Sequence, residues 1–181
     1  MRAYALMMLL SALITAGCTF GLLKLSARYK LYPQIRERDV HTTPTPRLGG
    51  IAMFVGFLVA LGAAGLLGWF ADLFVQPMRI VALVLAAALI TAIGVLDDLY
   101  DLDWTLKLAG QFIVAGLLAW QGVQIVSLPI AGLTIGSFGT SLVVTVFLTV
   151  LVMNAVNFID GLDGLVAGVV LIGTLVFFAY S

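Results

Sequence analysis

Long apolar runs, separated by short polar stretches, set the pattern of the chain. Six such segments can be marked, roughly Tyr4–Leu25, Leu48–Phe70, Met78–Leu96, Leu108–Trp120, Thr140–Phe158 and Leu165–Tyr180. Most approach the ~20 residues that a helix needs to cross a ~30 Å hydrocarbon core. The fourth is short, and it lengthens if a helix enters from the surface through Trp104–Lys107. The pattern predicts an all-α, polytopic bundle of transmembrane helices with about six spans, in a single integral membrane domain over residues 1–181.

Two stretches depart from that pattern. The first residues, MRAYALMMLLSALITAGC, have a basic start, an apolar run and small residues before Cys18, as a lipoprotein signal does. Thr15 stands where such a signal has a bulky aliphatic residue, and the apolar run continues to Leu25. A cleaved signal has an apolar core of about 7–15 residues, so a retained spanning helix is the expectation. The stretch QGVQIVSLPIAGLTIGSFG, residues 121–139, carries no charge and alternates aliphatic residues with Pro129 and Gly132. It reads as a small external β-hairpin or as a loop lying on the membrane surface.

Composition supports the membrane reading. Of the residues, 62% are hydrophobic and only 10% are charged, against about 25% charged in a soluble domain. The formal net charge of zero argues against a nucleic-acid-binding surface, so no nucleic-acid partner is expected. A lone cysteine, Cys18, excludes an intrachain disulfide and a cysteine-based metal cluster. The distribution of cations gives orientation. Arg28, Lys30, Arg36, Arg38 and Arg47 lie in the first long loop, with Lys24 at its edge. The positive-inside rule makes that loop cytoplasmic and the N-terminus external. Alternation then leaves only Arg2 and Arg79 outside, and every polar cluster falls on the cytoplasmic side.

Three clusters carry candidate chemistry. The segment IGVLDDLYDLDW places Asp97, Asp98, Asp101 and Asp103 within seven positions at the end of an apolar run. Separations of three and four put Asp98, Asp97 and Asp101 on one helical face, where like charges repel unless a cation compensates. Oxygen-only ligands favour a hard ion such as Mg²⁺, usually shared with substrate phosphates. A solvated helix end is the plainer alternative, although acidic residues contribute little to topology. The second cluster, NAVNFIDGLDGL, repeats Asn154, Asn157, Asp160 and Asp163 at every third residue, with Gly161 and Gly164 after the aspartates. Its spacing fits a helix end, a tight turn and a new helix, with acceptors for a metal or a sugar. Capping is the competing reading, with Asn154 ending one helix and Asp163 starting the next. The third, RERDVHTTPTPRLGG, offers Arg36, Arg38, His41 and Arg47 to phosphate groups or, equally, to anionic lipid headgroups. Lys107 lies within reach of either the acidic cluster or a diphosphate, and a snorkelling role at the membrane edge is the alternative. Carboxylates for a hard metal, cations for phosphate and a membrane-embedded body suit phosphoryl transfer between a soluble diphosphate and a lipid phosphate.

At these residues the chain resembles the polyprenyl-phosphate N-acetylhexosamine-1-phosphate transferases, the glycosyltransferase 4 family. Three motifs match in order: H-x-x-P-x-P-R-x-G-G at His41–Gly50, D-D-x-x-D at Asp97–Asp101, and N-x-x-N-x-x-D-G-x-D-G-L at Asn154–Leu165. The P-R-x-G-G form is similar to the N-acetylglucosamine branch, and Thr43-Pro44-Thr45 echoes the muramoyl-pentapeptide branch. The resemblance implies transfer of N-acetylglucosamine 1-phosphate from UDP-N-acetylglucosamine to undecaprenyl or decaprenyl phosphate. UMP is released, and cell-envelope polysaccharide synthesis begins. It implies Mg²⁺ as cofactor, with Mn²⁺ as an alternative, a plasma-membrane location, and a polyprenyl phosphate and a UDP-sugar as partners; it is compatible with a homodimer. By motif position, Asp97 and Asp98 would orient or deprotonate the lipid phosphate near the metal. Lys107 would pair with phosphate, with His41, Arg47 and Asn154 also on substrate. Asn157, Asp160 and Asp163 would shape the nucleotide-sugar pocket, with Asp160 an alternative nucleophile.

The resemblance also implies a chain about twice as long, with about ten or eleven spans, a later M-G-D-x-G-S motif and a histidine-rich loop. This chain is expected to be the N-terminal portion of such an enzyme, inactive alone. The competing readings are phospho-N-acetylmuramoyl-pentapeptide transferase, a non-catalytic half-length membrane subunit and a small cation transporter. Transport would place acids inside the spans, and no predicted span has an Asp or Glu in its interior.

Overall fold

The structure, a computed structural model, describes residues 2–29, 49–126, 137–160 and 164–180. Every regular element among them is helical: α1 (Arg2–Tyr29), α2 (Gly49–Leu67), α3 (Ala71–Phe74), α4 (Pro77–Tyr100), α5 (Trp104–Trp120), α6 (Phe138–Ile159) and α7 (Leu165–Tyr180). Helices α1, α2, α4 and α6 are long and apolar enough to cross a membrane, and α5 and α7 are shorter apolar helices. The six expected apolar segments thus each become a helix. Helix α1 runs without a break through Cys18. Helix α5 does begin at Trp104, as the short fourth segment required. Most of the expected hairpin, residues 127–136, lies outside the described residues, and Val123–Val126 form no strand.

Consecutive long helices pack in antiparallel order, α1 on α2, α2 on α4, α4 on α5 and α5 on α6. Small residues make the contacts. Ala52, Ala64, Ala82, Ala86, Ala115 and Ala119 are buried, while Leu66, Phe158 and Phe177 are at least 80% exposed. That inversion of a soluble core is expected where lipid covers the outer face and close backbone approach drives helix association. Gly56 shows it best. A Cβ there would sit 2.9 Å from the Ser11 carbonyl oxygen and against the Thr15 side chain, so α1 and α2 meet at a position only glycine fits.

The bundle has two distinct ends. At one, Tyr4 of α1 stacks edge-on to Phe70 at 4.9 Å and to Phe178 of α7 at 6.3 Å, and Trp120 meets Phe138 at 6.4 Å. Rings gathered at one level suit a membrane–water boundary. Here the second expected segment stops early. Helix α2 ends at Leu67, Gly68 takes φ +65°, and α3 folds back so that the Phe74 ring covers Gly65. The other end collects the C-termini of α1, α4 and α6 and the N-termini of α2 and α5. Lys24, Arg28, Asp97, Asp98, Asp101, Asp103, Lys107 and Asp160 all lie at this polar end.

Candidate functional site at the polar end

Helix α4 carries the first carboxylates past the last apolar turn. Asp97 and Asp98 are still helical, and the helix closes at Asp101, whose backbone is left-handed at φ 50° and whose N–H donates to the Asp97 carbonyl at 2.9 Å. Aspartate tolerates that conformation better than most non-glycine residues. Asp101 is the C-cap of α4, bonded back one turn to Asp97, and the chain turns within three residues to start α5. Asp103 caps that next helix, its carboxylate accepting from the Thr105 N–H and hydroxyl. The Thr105 hydroxyl chiefly holds the Asp103 carboxyl below its ordinary range. Desolvation opposes it, and the Thr105 and Trp104 amides and the Lys107 charge add to the lowering.

The two adjacent carboxylates serve different neighbours. Asp97 Oδ1 accepts from Lys107 Nζ at 2.7 Å and from the Leu102 N–H at 3.0 Å. Lys107 therefore meets the acidic cluster, the first of the two partners the sequence offered it. About 30% of each side chain stays accessible (32% and 28%), so the pair positions α5 against α4 more than it stabilises the fold; exposed pairs contribute about 0–1 kcal/mol. Asp98 instead lines a groove of about 380 Å³ between α2 and α4. Gly50 and Asp98 stand at its polar end, and Met53, Phe54, Phe57, Ile90 and Val95 form its apolar wall.

Helix α6 brings in the second cluster. Asn154 lies five residues before its last residue, Ile159, and Asn157 lies in its final turn. The competing reading in which Asn154 ends the helix does not hold: α6 runs on to Ile159, and the Asn154 side chain donates to the Val150 carbonyl at 2.8 Å, one turn back. Asp160 is the C-cap, with its N–H on the Asn157 carbonyl at 3.4 Å. Asp163, His41 and Arg47 lie outside the described residues. The sequence reading missed Gln111. Its Oε1 accepts from Asn154 Nδ2 at 2.5 Å and joins α5 to α6. The signal was present, since Lys107 and Gln111 are four apart and so share one face of an apolar helix.

One face of α5 thus fastens both clusters, Lys107 to Asp97 and Gln111 to Asn154. The donor set fits a hard cation. Carboxylate oxygens without sulfur or nitrogen ligands suit Mg²⁺, which takes one or two carboxylates and leaves other positions to phosphate and water. Among the described residues no three His, Cys, Asp or Glu side chains converge, so protein atoms there supply part of a shell rather than a closed cage.

The glycosyl transferase family 4 model matches residues 80–181. The chain is 40% identical over its whole length to the decaprenyl-phosphate N-acetylglucosaminephosphotransferase of Mycobacterium leprae, covering 46% of that protein. It is 34% identical over 77% of its length to a probable undecaprenyl-phosphate N-acetylglucosaminyl 1-phosphate transferase of Bacillus subtilis, covering 37% of it. A phospho-N-acetylmuramoyl-pentapeptide-transferase of Desulforudis audaxviator is 31% identical over 77% of the chain and is covered to 48%. The chain therefore spans about half the length of the curated relatives it matches. No solved structure matches it. The segment that matches the family begins at the start of α4 and takes in both acidic clusters and the α5 face between them, and the chain belongs to glycosyl transferase family 4.

Proposed function

We propose that this chain carries part of the active site of a polyprenyl-phosphate N-acetylglucosamine-1-phosphate transferase. The observation that carries the reading is the juxtaposition at the polar end. Through Lys107 and Gln111, α5 brings the Asp97–Asp98 carboxylates and the Asn154–Asp160 run together, beside an apolar groove headed by Asp98. The likeness to the mycobacterial and bacillar N-acetylglucosamine enzymes supports the same donor.

In the reaction, an oxygen of the lipid phosphate attacks the sugar-linked phosphorus of UDP-N-acetylglucosamine. A new P–O–P bond forms, the bond from that phosphorus to the bridging oxygen breaks, and its electron pair leaves with UMP. When bound, Mg²⁺ would supply positive charge for the phosphate oxygens, with Asp98 at the groove as its ligand and Asp97 held beside it by Lys107. Asp98 stands where the lipid phosphate arrives if the first isoprene units lie along Phe54, Phe57 and Ile90. Lys107, held by Asp97, keeps a cation beside the transferred phosphoryl group. Asn157 and Asp160 face the nucleotide-sugar, completed by Asp163, His41 and Arg47. In this reading the site faces the cytoplasm and the N-terminus lies outside, an orientation that the cation distribution supports.

The test uses membranes containing the full-length polypeptide, polyprenyl phosphate, Mg²⁺ and radiolabelled UDP-N-acetylglucosamine. Label in the extracted lipid, release of UMP and loss of both with EDTA are expected. Labelling only from UDP-N-acetylmuramoyl-pentapeptide would move the chain to the peptidoglycan branch, and labelling from neither would end the transferase reading.

A further inference from the structure

The amide pair Gln111–Asn154 is out of place in apolar helices. Gln111 lies seven residues into α5 and Asn154 five residues from the end of α6. At 1.5 Å per residue this sets them roughly 8–10 Å in from the polar helix ends. Polar side chains at such depth are costly in lipid and mark function unless something else explains them. Helix joining alone is a weak explanation, because small residues already pack α5 on its neighbours through Ala115 and Ala119 and interhelical hydrogen bonds in membranes contribute little.

Hydrogen-bond bookkeeping shows what the pair does. The Val150 carbonyl has no proton, so the Asn154 group facing it at 2.8 Å is the NH₂. The second amide hydrogen of Asn154 then goes to Gln111, which presents its oxygen at 2.5 Å. Both donors of Asn154 are spent, and its amide cannot flip without losing both bonds. What Asn154 offers a ligand is its carbonyl oxygen alone, on a side chain that is exposed in this structure. Lys107, one turn along the same face of α5, is fixed in the same way by Asp97.

We propose that Gln111 is a positioning residue of the transfer reaction: it locks the Asn154 amide so that Oδ1 accepts a hydrogen bond from a hydroxyl or amide N–H of the nucleotide-sugar. The inference rests on the transferase reading. It also predicts that Gln111 acts through Asn154 and not on the reacting phosphates.

A double-mutant cycle in the full-length polypeptide tests it, read as KM for UDP-N-acetylglucosamine and kcat at saturating polyprenyl phosphate. Gln111→Met keeps the size of the side chain and removes the acceptor. It should raise KM about five- to tenfold, the value of one hydrogen bond, with kcat changed less than about twofold. Asn154→Ala should raise KM at least as much, and the double variant should match Asn154→Ala rather than multiply the two effects. Gln111→Glu keeps an acceptor oxygen at the same reach and should hold KM within about threefold of wild type, which also decides the matter if Gln111→Met does not accumulate. Multiplicative effects, an unchanged KM in Gln111→Met, or a rise in Gln111→Glu equal to that in Gln111→Met would each overturn the assignment. Absence of transfer by the unaltered protein would instead sink the transferase reading, and this inference with it.

Discussion

The two ends of the bundle solve one problem with different chemistry. Each must join helices where the chain leaves the apolar layer, and each must satisfy backbone groups that helices no longer pair. The aromatic end uses rings and hydroxyls. Ser141 Oγ donates to the Ile125 carbonyl at 2.7 Å, and Thr145 Oγ1 accepts from the Ile125 N–H at 2.8 Å. Two buried hydroxyls one turn apart thus clasp one residue of extended chain. A glycine cap completes that end, with Gly122 at φ +84° and the Val123 N–H on the Leu118 carbonyl. The polar end uses a carboxylate–ammonium pair and an amide pair for the same joining task. At the aromatic end the Gln124 amide serves the terminus of α5, donating to the Ala119 carbonyl at 2.8 Å, whereas the polar end joins separate helices with a charge pair and an amide pair, a costlier choice that suits a second purpose.

If that contrast is right, changes at the polar end should remove activity and spare folding, and changes at the packed core and aromatic end should do the reverse. The largest effect is expected at Asp98. Asp98→Asn conserves shape and removes the charge at the head of the groove. It should lower transfer by a factor of about 10²–10³ or more, as removal of a preorganised charge-stabilising group does, with unchanged protein level and melting temperature. Near-wild-type turnover would take Asp98 out of the site. Next comes Gly56→Leu, which drives a side chain into the Ser11 carbonyl and Thr15. The expected cost is about 3 kcal/mol, at the upper end for overpacking, read as a lower unfolding midpoint in detergent. Smaller is the paired change Ser141→Ala with Thr145→Val, which strips both partners from Ile125. It should cost about 1–2 kcal/mol and speed exchange of the Ile125 amide, while KM for the nucleotide-sugar stays within about twofold.

The same contrast explains what the sequence could reveal. Helices and their alternation were legible because length and hydropathy alone separate a span from a loop, and the start of α5 at Trp104 followed from the same measure. Which end is polar was legible because charges are rare enough to be counted. Side-chain direction was harder. Asp97 and Asp98 look like one metal clamp in sequence, yet neighbours on a helix point about 100° apart, and the structure sends Asp97 to α5 and Asp98 to the α2 groove. The capping alternative for Asn154 stayed open in the sequence, because local spacing cannot reveal that its amide bonds one turn back and across to Gln111. Gln111 itself went unnoticed because its signal, a place four residues after Lys107, does not point to a partner 43 positions away. His41, Arg47 and Asp163 stand as motif positions outside the described residues.

The smallest expected effect sits at the junction of α4 and α5, where a carboxylate has a structural task at the polar end. Asp103 caps α5 through Thr105, and its pKa is lowered mainly by the Thr105 hydroxyl. A carboxylate whose folded pKa is depressed contributes stability that is complete above its unfolded value, about 3.9. That stability drains away as pH falls through the lower, folded value. The first turn of α5 should therefore fray below about pH 4 and be insensitive to pH between about 5 and 8. Amide exchange at Thr105 and Leu106, corrected for intrinsic pH dependence, reads this directly. Asp103→Asn keeps a capping oxygen and should abolish the acid-induced fraying while leaving the turn intact at neutral pH. Asp103→Ala should fray it at every pH. Fraying also loosens the register of Lys107, one turn on, against Asp97, so transfer by Asp103→Ala should fall modestly at neutral pH and transfer by Asp103→Asn should not. Equal loss in both variants would mean that the Asp103 charge itself serves the substrate, and the division between structural and chemical carboxylates at this end would have to move to include it.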